Sequence, residues 1–349
     1  MEEIHNFIHS YGISGYHIRQ VTDKLHRVET DNGVFAFKQS RYHSNEEDKW
    51  RPIINWLEVN GKNFAPPFAH TKGGMPYVLG RSHIYYLTPW VEHTKDEYPS
   101  HDIESFFRSL GTLHKQSKQT QSDNQGYIEY LWQKKEAGIQ AHQLLLEHIE
   151  AFEKRHYMPP LGLAVCSQYK QIHYTLEFMK ELYQELPERD RLPDNLPHVI
   201  NHGNLKNDHI IQYHGHSYFL NWEQMFFGPP MLDLSRFFLN DFRFHDSPVE
   251  EYKKKFSVYE RLYGITNQER LLLAIHLIDP HHYFTRLDRL LREERSSELE
   301  KVQKLEKSFR RIVYGRLIAE SLFNTFQAQQ LKDNESKSTP DEKQGKSQE

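Results

Sequence analysis

One cysteine, Cys166, stands in 349 residues, so the chain cannot form an intrachain disulfide and fits a reducing compartment. It also lacks any run of about 18 uninterrupted apolar residues, the length that a membrane-spanning helix needs. The opening MEEIHNFIHSYG has no basic segment followed by an apolar stretch, which is unlike a signal peptide. Neither sign of charge is in large excess: 44 Lys and Arg against 48 Asp and Glu leave a formal net charge of -4, with no electrostatic argument for nucleic acid or an anionic membrane. The expectation is a soluble chain made in the cytoplasm, with no membrane insertion and no nucleic-acid partner.

What is present suffices for a sizeable interior. Hydrophobic residues make up 37% of the chain, with 21 Phe and 20 Tyr, so wholesale disorder is not expected. The length suits two lobes better than one minimal core. Histidine is abundant at 23 residues, so mild acidification would add much positive charge. Cys166 has no evident catalytic partner and reads as a small buried apolar residue.

Ile4, Phe7, Ile8 and Tyr11 fall on the stripe of a short amphipathic helix. The following residues read mainly as strands. Asp31-Asn32-Gly33 separates Leu25–Thr30 from Val34–Lys38 as a hairpin turn, and a second strand pair, Pro76–Leu79 and Ile84–Leu87, follows Thr71-Lys72-Gly73-Gly74. Between them, Trp50, Ile53, Ile54 and Leu57 recur at helical spacing. From residue 100 onward the pattern is helical, with one face at Ile103, Phe106, Phe107, Leu110 and Leu113. A longer face follows at Tyr169, Ile172, Leu176, Met179, Tyr183 and Leu186. An isolated strand pair, His209–Tyr213 and Tyr218–Trp222, interrupts the helices around a His-Gly-His turn. Residues 332–349 are polar and mixed in charge, and 331–349 read as a disordered tail. His281-His282 after Asp279-Pro280 raises a metal reading, but no further ligand sits at a convincing spacing, so they read as a solvated helix start.

Residues 198–238, HVINHGNLKNDHIIQYHGHSYFLNWEQMFFGPPMLDLSRFF, resemble the catalytic segment of the aminoglycoside phosphotransferase and choline kinase families. That pattern runs His-Gly-Asp, four residues, Asn, a hairpin, then Asp-Trp-Glu and an Asp-Leu at the next helix. The resemblance implies that the first Asp takes the substrate proton and that the Asn and second Asp hold magnesium. Here His202-Gly203, Trp222-Glu223 and Asp233-Leu234 match. The base position is Asn204, and the metal positions are His209 and Asn221. An amide cannot act as a base, a neutral carbonyl is a poor substitute for a magnesium carboxylate, and an imidazole suits zinc better. His202 and Asp233 read as structural, Asp233 as a carboxylate capping backbone N–H groups.

Phe35-Ala36-Phe37-Lys38 resembles the strand whose lysine pairs with nucleotide phosphates. Glu46 or Glu47 is the candidate ion-pair partner of Lys38. Glu47 and Glu223 join Lys38 as candidate residual nucleotide contacts, and Glu223, two residues beyond Asn221 on a strand, would share its face. A surface carboxylate is the competing reading for Glu223. The preceding turn, residues 21–26, contains no glycine, so its backbone is less free to close over phosphates. Tyr85–Val91 resembles the linker between lobes.

Thr71–Gly74, Tyr85–Trp90 and Leu110-Gly111-Thr112-Leu113-His114, in this order and spacing, are similar to the kinase-like spore coat proteins of the CotS/YsxE type, closest to YsxE. The resemblance covers residues 1–330. It implies an α+β, bilobal protein-kinase-like fold, with an N-lobe at 1–89 and a helical C-lobe at 90–330. Many CotS-like relatives keep the acidic catalytic residues; the changes at Asn204, His209 and Asn221 depart from them and read as a non-catalytic pseudokinase. The resemblance implies a coat structural or assembly protein, made in the mother-cell cytoplasm, deposited in the spore coat and partnered by other coat proteins. No cofactor or metal is expected beyond weak ATP binding without magnesium. The rival readings are an atypical ATP-dependent small-molecule phosphotransferase and a nucleotide- or ligand-binding sensor without turnover.

Overall fold

The computed structural model describes residues 2–91, 102–120, 124–188, 196–213 and 216–337. The chain divides into two compact units, Met1–Ser117 with Val199–Gly228, and Lys118–His198 with Pro229–Glu349. Residues 103–117 and 199–228 therefore group with the N-terminal sheet rather than with the remaining helices.

The first unit opens with helix α1 (Glu2–Ser10), followed by strands β1 (Tyr16–Thr22), β2 (Leu25–Thr30) and β3 (Gly33–His43). Helix α2 (Glu47–Asn60) precedes β4 (Tyr77–Leu79) and β5 (His83–Pro89), and the five strands form an antiparallel sheet in the order β1-β2-β3-β5-β4. Thr30 faces Gly33 across the expected Asp31-Asn32 turn. Strand β1 went unread in the sequence because it is an edge strand with mostly exposed side chains, so its alternation is faint. Ile8 of α1 packs with Val28, Phe37 and Leu87 in a cluster that none of the solvent reaches, and Phe37 stacks on Tyr85 at 5.5 Å. Trp50, Ile53, Ile54 and Leu57 are the buried stripe of α2, as their spacing predicts.

Helix α3 (Ile103–Gln116) buries all five apolar positions of its predicted face. After β6 (Gln119–Thr120), the long helices α4 (Gln125–Glu153) and α5 (Pro160–Gln184) belong to the second unit. The chain returns to the first unit within β7 (Pro197–Asn201) and continues through β8 (Ile210–Tyr213), β9 (His216–Phe219) and β10 (Phe226–Gly228). β8 and β9 form the expected hairpin, whose turn at 214–215 lies outside the described residues. β9 ends at Phe219, three residues short of the strand read from the sequence.

The second unit continues with α6 (Met231–Asp241), α7 (Val249–Tyr259), α8 (Asn267–Leu277), α9 (His281–Arg292) and α10 (Glu298–Lys337). Helix α8 is buried on nearly every side, from Leu271 to Leu277, as a helix surrounded by others must be. It packs against α5, α6 and α10. Gly315 permits the approach of α10, since a Cβ there would stand 2.4 Å from the Leu277 carbonyl oxygen. The expected disordered tail is corrected in part: residues 331–337 continue α10, because Leu331, Lys332, Glu335 and Lys337 are good helix formers extending an existing helix without a new nucleation cost. Residues 338–349 lie outside the described part. Cys166, expected to be buried, is only half-buried on α5. Among the described residues no helix is long and apolar enough to cross a membrane.

His276, fully buried on α8, bonds through Nε2 to the Tyr127 hydroxyl at 2.7 Å. Burial, and secondarily Lys134, pull its pKa down to about 3, with Asp279 opposing. The unfolded chain takes up this proton near the ordinary histidine value, whereas the native chain does not until far lower, so stability falls as pH drops from about 6.5 toward 3. Urea unfolding at about pH 7.5 and about pH 5 should show a loss of which roughly 2 kcal/mol depends on this imidazole. His276→Gln, whose amide can still pair with Tyr127, should be correspondingly less acid-sensitive, and an identical pH response in both proteins contradicts the assignment.

Candidate functional site

The candidate site is built within the first unit, from β3, β5 and the segment 202–224. Lys38 lies near the middle of β3, directly opposite Tyr86 of β5. Its ammonium donates a hydrogen bond to Asn221 Oδ1 at 3.2 Å. Burial lowers the pKa of Lys38, and the nearby Glu223 carboxylate opposes that shift. Glu223 is 9% exposed and accepts a hydrogen bond from Tyr86 Oη at 3.1 Å, while its backbone carbonyl accepts one from Tyr42 at 2.8 Å. The surface reading of Glu223 is thereby overturned. So is its strand geometry: beyond β9 the backbone turns at Asn221, whose φ of 65° makes it the one non-glycine residue with positive φ among those described. Asn and Asp adopt this left-handed region more readily than other side chains do.

His202 fixes the turn beneath. Its Nδ1 accepts from the Asn204 backbone N–H at 3.2 Å and its Nε2 donates to the Leu220 carbonyl at 2.7 Å, which requires the Nε2–H tautomer. The ring lies 4.8 Å from that of Trp222, and the Trp222 indole donates to the Phe219 carbonyl. Gly203 has φ of 78°, and a Cβ on it would stand 2.0 Å from the Gln224 carbonyl oxygen. The retained His-Gly and Trp-Glu pairs thus hold a backbone shape.

The positions that correspond to the chemistry stand differently. Asn204 is half-buried in the cleft and presents a neutral amide. His209 bonds through Nδ1 to the Asn204 carbonyl at 2.9 Å, and burial, with Lys206 adding to it, lowers its pKa to about 4, so it is a neutral imidazole at pH 7. Asn221, which would replace the metal-binding carboxylate, already gives its one carbonyl oxygen to the Lys38 ammonium. Magnesium requires hard oxygen ligands, usually one or two carboxylates. An imidazole and an amide oxygen occupied by a cation do not fit that ion.

Glu46 and Glu47 do not pair with Lys38. Glu46 binds Lys49 at 2.7 Å and accepts from the His43 N–H, closing the short turn before α2. Glu47 bonds Arg51, one helical turn on, and Tyr77 Oη at 2.5 Å, and it does not line the Lys38 cleft. Lys49 and the His43 N–H thus engage Glu46, and Arg51 with Tyr77 engages Glu47, where Lys38 was the expected partner. Asp233 is fully buried at the third position of α6, where a carboxylate favours the helix N-terminus, and its charge acts on Tyr259.

The cleft, about 550 Å³, includes residues missed in the sequence: Lys24, Arg41, Lys206 and Asp208 join Lys38 and Glu223 on its wall. Arg41 reaches the same cleft as Lys38 although strict strand alternation would put it on the other face. An irregularity in the β3–β5 register between Gln39 and His43 breaks that alternation. The backbone of the glycine-free β1–β2 turn is engaged locally, with Lys24 N–H bonding Thr22 Oγ1 at 3.3 Å and the Lys24 carbonyl accepting from Gln39 N–H at 2.8 Å.

A five-stranded sheet presenting a lysine to a His-Gly turn and a β-hairpin defines a kinase-like fold of the small-molecule phosphotransferase class. The chain belongs to the phosphotransferase enzyme family, whose profile matches residues 22–265. Among solved structures it is similar to an aminoglycoside phosphotransferase from Alicyclobacillus acidocaldarius, with 13% identity over 93% of this chain and 96% of that one and a TM-score of 0.63. An AMP-bound spectinomycin phosphotransferase is similar at 15% identity, over 93% and 98% of the two chains, with a TM-score of 0.56. These likenesses are of fold. None of the curated proteins compared with the chain matches it.

Gly203→Ala is expected to lose about 2–4 kcal/mol in urea unfolding, because it adds both φ strain and a collision with a backbone carbonyl. Gly15→Ala, at φ of 68° with nothing within 4 Å, carries the strain alone and should lose about 1 kcal/mol. Equal losses in the two variants contradict the close packing of the His-Gly turn.

Proposed function

We propose that this chain is a non-catalytic member of its family, a pseudokinase whose cleft binds rather than transfers. The observation that carries this reading is the Lys38–Asn221 hydrogen bond: the amide that replaces a metal carboxylate is turned toward a cation. In-line phosphoryl transfer rests on positioning and on neutralising charge, and the acids that supply both are replaced at Asn204 and Asn221. Of the remaining acids on the cleft, Glu223 is tied to Tyr86 and Asp208 is solvent-exposed beside Lys206.

The same wall supports anion binding without a metal. Lys24, Lys38, Arg41 and Lys206 outnumber the carboxylates of Asp208 and Glu223, so a phosphorylated ligand would meet fixed cations in place of magnesium. No tightly held cofactor is part of this reading, and any ATP binding would be weak. The order of motifs similar to the CotS/YsxE proteins supports a structural or assembly role in the spore coat, with other coat proteins as partners and synthesis in the mother cell.

Purified protein with magnesium and ATP should show no hydrolysis and no phosphorylation of sugars, choline or aminoglycosides above background, and a fluorescent fusion should encircle the forespore during sporulation. Turnover that disappears in Lys38→Ala overturns the non-catalytic reading. A fusion that stays diffuse through spore maturation overturns the coat assignment alone.

A further inference from the structure

Far along the sequence from the cleft residues, α4 and α5 of the second unit bring together side chains that neither the family nor the proposed function uses. His142 comes from α4, and His173 and Glu177 lie one helical turn apart on α5, on one face. His173 Nδ1 is 3.1 Å from His142 Nε2, and His142 Nδ1 is 3.2 Å from Glu177 Oε1. One ligand atom from each of the three residues lies within 4.8 Å of the others. Tyr169 stacks on His173 at 5.6 Å and restrains its ring.

We propose that His142, His173 and Glu177 form a zinc site that clasps α4 to α5. Two imidazoles and a carboxylate are a donor set suited to zinc. Tetrahedral bonds of about 2.0–2.1 Å place ligand atoms about 3.3 Å apart, and since only one His142 nitrogen can bind the ion, the present set, with one atom per residue within 4.8 Å of the others, has to draw together on binding. A solvent-accessible edge remains for a water as fourth ligand, since the Glu177 side chain is 44% exposed and that of His142 22%.

The electrostatics agree. Burial, and then the Lys180 ammonium and His173, lower the pKa of His142, so its ring stays neutral and keeps a lone pair at pH 7. Lys180 itself bonds Glu177 Oε1 at 2.6 Å and stands 3.4 Å from His142 Nδ1. A cation is thus already drawn to this cluster. Lys180 is half-buried on a flexible stem, and zinc binding requires only that it swing outward and release Glu177.

The test is titration of the full chain with zinc by calorimetry and with cobalt(II) by visible absorption, whose intensity reports tetrahedral coordination. The chain carries 23 histidines and will bind zinc weakly elsewhere, so the readout is the difference between wild type and variants. One saturable site per chain is expected, weakened at least about tenfold in His142→Gln, in His173→Gln and in the half-exposed Glu177→Gln, whose metal-free unfolding midpoints should stay near that of wild type. Lys180→Ala, which removes the competing ammonium, should tighten the site. Absence of saturable binding in wild type, or a cobalt band unchanged in the double variant His142→Gln/His173→Gln, overturns the proposal, as does weaker binding in Lys180→Ala.

Discussion

The Lys38–Asn221 hydrogen bond is the contact on which the reading of this molecule depends. Asn221 sits at a backbone position of positive φ, where Asp and Asn are the side chains best able to replace glycine. Exchanging a metal carboxylate for Asn at such a position keeps the turn and discards the charge. The consequence is local and chemical: the one oxygen that would face a metal accepts from an ammonium. Glu223 then supplies the charge opposite Lys38, held in place by Tyr86, the cross-strand neighbour of that lysine. The result is a closed polar network satisfied by the protein itself, which a metal would have to disrupt.

The scaffold around it is retained for reasons that do not require catalysis. His202 uses both ring nitrogens to hold the turn at Asn204 and the chain at Leu220, and Gly203 fills a space that no Cβ can enter. The β8–β9 hairpin is fastened through backbone bonds from Phe219 to Phe64 and from Leu220 to His209. Tyr42 binds the Glu223 backbone. These contacts are geometric requirements of the fold shared with phosphotransferases, so they persist whether or not the site turns over.

Much of this was legible in the sequence, because the signals were local. Helical spacing gave α2, α3 and α5, and Asn32-Gly33 gave the β2–β3 hairpin. The motif order placed Lys38, Asn204, His209 and Asn221 on one cleft, where the structure has them. What failed were inferences from strand parity. Glu223 was assigned a face by alternation, but the left-handed turn at Asn221 ends the strand geometry. Arg41 went unread, and alternation from Lys38 points away from it, because the irregularity in β3 breaks that rule. Glu46 or Glu47 was expected to reach Lys38, but Lys49 engages the first, and Arg51 with Tyr77 the second. Side-chain clusters joining separate helices, such as His142 with His173, have no period in sequence at all.

The central claim is that fixed cations stand in this cleft where a phosphotransferase uses magnesium. Equilibrium titration of ATP at matched free concentration, with excess EDTA and with saturating magnesium, addresses it directly. The account predicts that magnesium leaves nucleotide affinity unchanged or lowers it, since the metal masks the phosphate charge that Lys38, Arg41 and Lys206 would otherwise meet. An affinity raised about tenfold or more by magnesium, corresponding to about 1.4 kcal/mol of metal-mediated binding, would contradict it.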